Sequence, residues 1–315
     1  MSRVHSELTC VINVRNGEKF IGRTLESVSK QTMVPKVLVI DNFSTDATAQ
    51  IVSQFANATL VRPPQAMKLG EARNFSLTQV NSEFVTWLDA DDLWMPTFVE
   101  ESLKIFRDTP NAAFLSTCAV KIDEEDKVIM SLKTQSWLPL KNFADRLTPS
   151  DSAFELIRKS IMPGPWCSFV FRTEKVKEVG GFDSTLSYAE DLDLIVRLSV
   201  KNQGYHLHKI LSKYRIHANQ ETNRLRFERF SELETVASKI KSDINADEMS
   251  FLKALISLRE QMHISIHGKE FLNLMNIVIK NSVKNPKALY EVLGSKIKRT
   301  LTRNASDPRL LTTLE

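Results

Sequence analysis

The chain has 315 residues, 42% of them hydrophobic, with 42 Lys and Arg against 38 Asp and Glu for a net charge of +4. That length allows one large α/β domain with a smaller appendage, and the apolar fraction suffices for a sizeable core, which excludes general disorder. No apolar run of ~18 residues occurs and Met1 to Glu7 lacks the apolar stretch of a secretory leader, so the chain is expected in the cytoplasm without a membrane span.

The first half alternates strands with helices. Leu8 to Val14 is an apolar run of strand type, Phe20, Ile21, Leu25 and Val28 repeat at helical spacing, and Val37 to Ile40 is a second strand. Ala47 to Phe55 reads as helix, Thr59 to Val61 as strand, Glu71 to Val80 as helix, Phe84 to Leu88 as a buried strand and Thr97 to Phe106 as helix. This βαβ patterning predicts an open, mostly parallel α/β sheet with helices on both faces, and ligands at the carboxyl ends of its strands. After the apolar run Ala112 to Val120, a loop rich in Pro and polar residues is expected from Leu138 to Pro165, then a strand from Trp166 to Arg172. A helix from Glu174 to Val179 should end at Gly180-Gly181 in a left-handed cap. Glu190 and Asp191 open another helix, with Leu192, Ile195, Val196 and Leu198 turned inward, and Tyr205 to His217 is a last strand. Beyond Glu221 only helical periodicity remains, over Phe227 to Ile244, Glu248 to Ile266, Phe271 to Val283 and Lys287 to Leu301, so a domain of residues 1–222 precedes a helical region of residues 223–315. Cys10 and Cys118 lie in apolar strand-like runs and Cys167 follows Trp166, none with CxxC spacing, which predicts buried thiols.

The segment Phe84-Val-Thr-Trp-Leu-Asp89-Ala-Asp91-Asp92 is the most informative, because a buried strand stops in three carboxylates. A divalent cation bearing a nucleotide diphosphate would satisfy them, since magnesium and manganese bind one or two carboxylates plus phosphates. A solvated turn capping the helix that starts near Pro96 is the alternative reading of this segment alone.

Further motifs follow one another in order: Val14-Arg15-Asn16; Val39-Ile-Asp41-Asn-Phe-Ser-Thr-Asp46; Gly70-Glu-Ala-Arg73-Asn74; Asp89-Ala-Asp91-Asp92; Gly180-Gly-Phe-Asp183; Glu190-Asp191-Leu-Asp193; and Tyr214-Arg215-Ile-His217. In this combination, over roughly residues 7 to 219, the chain resembles the family 2 glycosyltransferases of GT-A fold. Two departures stand out. The family's first strand usually ends in Pro-x-Tyr-Asn, where this chain has Asn13-Val-Arg15-Asn16 and no stacking Tyr, and its V-D-D-G-S-x-D turn carries Asn42 in place of the second acid.

The resemblance implies an inverting, metal-dependent transferase with a Rossmann-like GT-A sheet, using a nucleotide-sugar with UDP-sugar as the leading donor class. It places Asn13, Val14, Arg15, Asp41, Arg73, Asp89 and Ala90 at the nucleotide-sugar, with Asp41 accepting a hydrogen bond from a pyrimidine ring N–H. Asp91 becomes the first choice for a ligand to Mn2+ or Mg2+, with Asp89 towards ribose and metal and Asp92 a weaker choice. His217 either adds a ligand, as in some relatives, or is an ordinary strand-end histidine. Arg73 reaches donor phosphate or sugar, or is a solvated helix charge. Asp191 takes the place of the general base and Glu190 orients acceptor or base; as an isolated motif these acids would only favour a helix N-terminus. Trp166 and Ser168 stand for acceptor contacts, Trp166 equally for core.

Relatives of this type imply a glycan or lipid-linked acceptor in cell-surface polysaccharide synthesis. Between Lys269 and Arg309 nine Lys and Arg face three acids, a surplus without the aromatic interleaving of nucleic-acid readers. No nucleic acid is expected; the C-terminal helices suit an acceptor-side scaffold, a homo-oligomer contact or a basic dock at the inner membrane face. Two rivals belong to other classes. A sugar-phosphate nucleotidyltransferase would need an early Gly-rich phosphate loop with Arg and Lys, which Asn16-Gly-Glu-Lys does not supply. A noncatalytic nucleotide-sugar-binding module would have no reason to keep both the Asp cluster and Glu190-Asp191.

Overall fold

Strand β1 (His5–Val14) carries Leu8, Cys10, Val11 and Ile12 with no exposed surface. Apolar contact on both faces is the mark of a central strand in a sheet covered by helices. The computed structural model describes residues 5–130, 147–149, 152, 156, 164–220 and 229–267. It divides into two units, Met1–Leu156 with Ile161–Arg226, and Ile157–Ser160 with Phe227–Glu315.

In the first unit β1 lies between β2 (Pro35–Asp41) and β4 (Phe84–Trp87), and β2 pairs with β3 (Ala58–Val61), all in parallel. The intervening helices are α1 (Ile21–Ser29), α2 (Thr48–Val52) and α3 (Leu69–Thr78). Helix α1 buries Ile21, Thr24, Leu25 and Val28, the one face its spacing marks out. The chain thus steps outward from β1 to β3 and then returns to the other side of β1, which makes the gap between the ends of β1 and β4 the topological switch point where such sheets bind ligands.

The second half of the sheet is not the simple continuation that the patterning suggests. Strand β5 (Leu93–Trp94) and helix α4 (Phe98–Asp108) lead to the long β6 (Ala112–Ile122), which forms a hairpin with β7 (Val128–Met130). Strand β9 (Phe169–Arg172) inserts antiparallel between β4 and β6, and β10 (Gln203–Arg215) runs parallel to β6, giving the order β3-β2-β1-β4-β9-β6-β10-β5. The sheet is therefore mixed, parallel through β3-β2-β1-β4 and reversed at β9.

Two local details differ from expectation. Strand β8 (Leu147–Pro149), paired with β10, falls within the expected loop. Trp166–Ser168 forms a 3-10 turn rather than the start of a strand, because the backbone N–H and the Oγ of Ser168 both donate to Pro165 O. All three cysteines are free and buried.

Helix α5 (Thr173–Glu178) ends in a Schellman arrangement: Gly181 N donates to Val176 O at 2.9 Å, Gly180 N to Lys177 O at 3.0 Å, and the two glycines take φ +83° and +72°. Helix α6 (Glu190–Lys201) follows. In the second unit, α7 (Arg229–Lys239) and α8 (Ala246–His267) carry the buried apolar residues Leu233, Val236, Leu252 and Leu255, and Asn245 with Glu248 closes a capping box before α8. No helix among the described residues is long and apolar enough to cross a membrane. The helices expected at 271–283 and 287–301 lie outside the described residues.

Inside the sheet, His206 of β10 sits 2.9 Å from Ser116 Oγ and 3.5 Å from Cys118 Sγ, with the His208 ring 4.8 Å away. Burial first, then the charge of His208, pushes it down to about 3. An unfolded chain binds this proton near pH 6.5 and the folded one only near 3, so the histidine's contribution is complete above the upper value and is lost as pH falls through that window. His206→Gln is expected to flatten the decline of unfolding free energy between these limits by up to about 1.4 kcal/mol per pH unit. Denaturant titrations of both proteins across that range measure it.

Candidate active site

The ends of β1 and β2 are tied into one platform. Val14 pairs with Asp41 across the ladder, and Asn42 N donates to Val14 O at 2.8 Å. The loops beyond them interlock: Asn16 N meets Ser44 Oγ at 2.9 Å, Thr45 N meets Asn16 Oδ1 at 2.8 Å, Gly17 N meets Thr48 Oγ1 at 2.9 Å and Ala47 N meets Glu18 Oε2 at 2.9 Å. Asn13 closes β1 with a buried Oδ1 that has no protein partner, and Arg15 is exposed just beyond it.

Asp41 is fully buried, its Oδ1 accepting from Ser44 N at 2.8 Å and its Oδ2 from Arg62 Nη2 at 2.5 Å. Burial alone would raise this carboxyl; the hydrogen bonds of Arg62 and Ser44 outweigh it and hold the group below its ordinary range. The expected open acceptor is thus covered by Arg62, whose side chain is half exposed. The sequence reading passed over Arg62. The signal lay in position, since Ile40 pairs with Val61 and Arg62 is the next residue beyond β3. Asn42 also finds its reason here: its amide donates to Met67 O at 2.7 Å and accepts from Met67 N at 2.9 Å, a two-way pair that a carboxylate could not make.

The Asp loop beyond β4 is held from three sides. Leu88 N extends the ladder to Val11 O, and Ala90 O accepts from Thr24 Oγ1 of α1 at 2.8 Å. From the end of β10, fully buried Arg215 donates through Nε to Asp91 O at 2.6 Å and through its backbone N to Asp92 Oδ1 at 2.7 Å, while Nη1 reaches Asp123 O. Asp92 is accordingly buried and structural, its carboxyl pushed up by burial and by Asp91 and Asp89. Asp91 turns the other way, and its Oδ2 lies 2.7 Å from His217 Nε2. Asp89 keeps 39% of its side chain accessible; desolvation by the surrounding protein, opposed by Arg73 and reinforced by Asp91 and Asp191, pushes it up to about 7.

Arg73 of α3 joins this loop to the other acidic motif. Its side chain is 5% exposed, its Nη1 donates to Glu190 Oε1 at 2.9 Å, and its Nη2 stands 3.6 Å from Asp89 Oδ1. The guanidinium carbon lies 4.7 Å from the Trp166 ring centroid and 5.4 Å from that of Phe182. A guanidinium this deep must be paired, and of its two expected roles the solvated helix charge is excluded.

Two other motifs exist to make this docking fit. Asn74 exchanges hydrogen bonds with Phe182 O and N, both at 2.8 Å. A Cβ on Gly181 would lie 2.5 Å from Asn74 Oδ1, and one on Gly70 would lie 3.2 Å from Ser184 Cα. Behind them, Asp193 is fully buried and paired with Arg197, which also binds the carbonyls of Val179 and Gly181. Asp191, half-buried in the first turn of α6, keeps Oδ1 on Leu192 N at 2.6 Å and stands near enough to Asp89 for its charge to help raise that carboxyl.

Trp166 and Ser168, expected at the acceptor, lie within the protein. Trp166 is 5% exposed and packs among Trp87, Phe169, Phe171 and Phe182, in keeping with the core placement that was its alternative. Ser168 is fully buried with its hydroxyl donated to Pro165 O at 2.6 Å.

Arg73→Ala would leave Glu190 as a buried charge and is expected to cost about 3–5 kcal/mol of unfolding free energy. Adding Glu190→Gln should recover part of that loss, and a double-mutant cycle in urea measures the coupling.

Comparison with known proteins places this geometry. The sequence model described as glycosyl transferase family 2 matches residues 9–174, more than half of the chain. An uncharacterized glycosyltransferase of Rickettsia typhi is 23% identical over 248 residues, covering 78% of this chain and 75% of its own. Among solved structures, TarS 1–349 of S. aureus, in complex with UDP-GlcNAc, matches with a TM-score of 0.64 at 17% identity over 86% of this chain and 79% of that one. The mannosyltransferase PcManGT of Pyrobaculum calidifontis, in complex with GDP-Man and Mn2+, matches with a TM-score of 0.57 at 16% identity over 95% and 83%. At these identities the structural likeness is one of fold, the GT-A fold. The sequence match reaches further than fold: this chain belongs to glycosyl transferase family 2 and is a glycosyltransferase.

Proposed function

We propose that the enzyme moves a sugar from a UDP-sugar to a hydroxyl of a glycan or lipid-linked acceptor, with inversion, in cell-surface polysaccharide synthesis. One observation carries the reading: Arg73 contacts both Asp89 and Glu190, so the donor end of the Asp loop and the Glu190-Asp191 helix start meet at one guanidinium. Asp191 there takes the proton of the acceptor hydroxyl as its oxygen attacks the anomeric carbon, and a single displacement inverts that centre. Glu190, fixed by Arg73, holds Asp191 and the acceptor in register.

The residues present fit a divalent ion. Asp91 Oδ2 and His217 Nε2 converge at 2.7 Å with Asp89 on the same loop, and magnesium- or manganese-type ions take one or two protein carboxylates and complete their shell from phosphate and water. Among the described residues no group of three or more His, Cys, Asp or Glu side chains is arranged to hold an ion. When bound, it would neutralise charge on the departing diphosphate.

The half-exposed Arg62 guanidinium, held by the buried Asp41 carboxylate, offers donors that suit the carbonyls of a uracil edge. Asn13, Val14, Arg15 and Ala90 then border the nucleotide along the strand ends. The basic surplus of residues 269–309 suits contact with an anionic membrane surface where a lipid-linked acceptor is presented.

Two measurements test this. Asp191→Asn is expected to lower transfer about a hundred-fold or more while UDP affinity stays near that of the parent; equal loss of both removes Asp191 from the role of base. Asp91→Ala and His217→Ala are each expected to weaken manganese-dependent UDP binding, followed by calorimetry, and binding by the parent that ignores manganese refutes the metal assignment.

A further inference from the structure

Phe43 occupies the position where the family's V-D-D-G-S-x-D turn has glycine, and it takes φ +62° there. A bulky side chain in the left-handed region is a genuine outlier and costs of order 1 kcal/mol or more, tolerated when the surroundings over-determine it. Here they do. Asn42 N is fixed to Val14 O, Phe43 N to Asp41 O at 2.9 Å, Ser44 N to Asp41 Oδ1, and Ser44 Oγ receives Asn16 N. A glycine would meet every one of these backbone bonds without strain, so the turn itself does not call for the ring.

Core packing does not call for it either, since 37% of Phe43 is exposed, which sets it among the few large exposed apolar residues described. It does lie at the ligand-binding edge of the sheet, one residue beyond Asn42 at the end of β2. The Arg62 guanidinium carbon stands 5.5 Å from its ring centroid while the same guanidinium holds Asp41. Ring, guanidinium and carboxylate therefore form one cluster: an aromatic face beside a hydrogen-bonding pair. Meanwhile β1 ends in Val14-Arg15, without the aromatic residue that would stack a base from that side.

We infer that Phe43 supplies the stacking face for the nucleobase of the donor, with Arg62, held by the buried Asp41, at the base edge, and so helps to set nucleotide specificity. This rests on the donor reading above and deepens it. Stacking of a base on an aromatic ring is strong enough to justify a strained turn, and it is lost when the ring is removed.

The test uses the full chain with Phe43→Gly and Phe43→Tyr. Calorimetry measures the affinity for UDP, GDP and pyrophosphate, each with manganese, and thermal unfolding without ligand reports the fold. Phe43→Gly should unfold at the parent's temperature or higher, because strain is relieved. It should bind the parent's preferred nucleoside diphosphate about ten-fold or more weakly, and pyrophosphate, which has no base, within about two-fold of the parent. Phe43→Tyr, which keeps the face, should retain nucleotide affinity. Unchanged nucleotide affinity in Phe43→Gly overturns the inference, and so does an equal loss for pyrophosphate, which would mark a damaged loop. A parent that binds neither UDP nor GDP overturns the donor reading itself and this inference with it.

Discussion

The site turns on a guanidinium taken out of water. Arg73 sits between Glu190 and Asp89, under the Trp166 and Phe182 rings. Its desolvation is offset only by good geometry, so every neighbour must be placed to a fraction of an ångström. That demand explains much of the surrounding sequence. Gly70 and Gly181 allow α3 to approach the turn after α5, Asn74 fastens it, and the Asp193–Arg197 pair locks the same turn from behind. What reads as a string of separate motifs is one packed interface.

A second constraint is electrostatic. Asp89, Asp91, Asp92 and Asp191 are close enough to influence one another, and the chain manages the repulsion by giving each a different surrounding. Asp92 is withdrawn into the core on the backbone of Arg215, Asp91 meets His217, Asp89 faces Arg73, and Asp191 leans on a helix N-terminus. Unequal environments let neighbouring carboxyls do unlike work.

Much of this was legible in the sequence. The β1, β2 and β4 runs are continuous apolar segments, and a polar residue at the end of such a run has nowhere to go but the sheet edge, so Asn13, Asp41 and Asp89 could be placed before any coordinates. The Asp loop is legible for the same reason, whereas Arg73 and Glu190-Asp191 become candidates only through the resemblance to a family, since alone each also reads as an ordinary helix charge. The remainder depends on register and reversal. Arg62 reaches Asp41 only because β3 pairs with β2 in one particular alignment. Trp166 reads equally as sugar platform or core, because nothing local reveals that β9 runs antiparallel and brings Trp87, Phe171 and Phe182 around it. Arg215 was visible as a motif without a task, since its carbonyl partners at Asp91 and Asp123 lie in segments far removed from it along the chain.

The grip of Arg215 on the Asp loop also bears on how the molecule comes into being. The strands that display the carboxylates, β2 and β4, are complete within the first third of the chain, yet the bonds that fix Asp91 and Asp92 span 124 and 123 residues. Closing loops of that length is entropically costly and tends to be slow. Until the last strand of the sheet has docked, the Asp loop has its Leu88–Val11 and Ala90–Thr24 bonds, and the partners that fix Asp91 and Asp92, Arg215 and His217, lie two residues apart at the end of that strand.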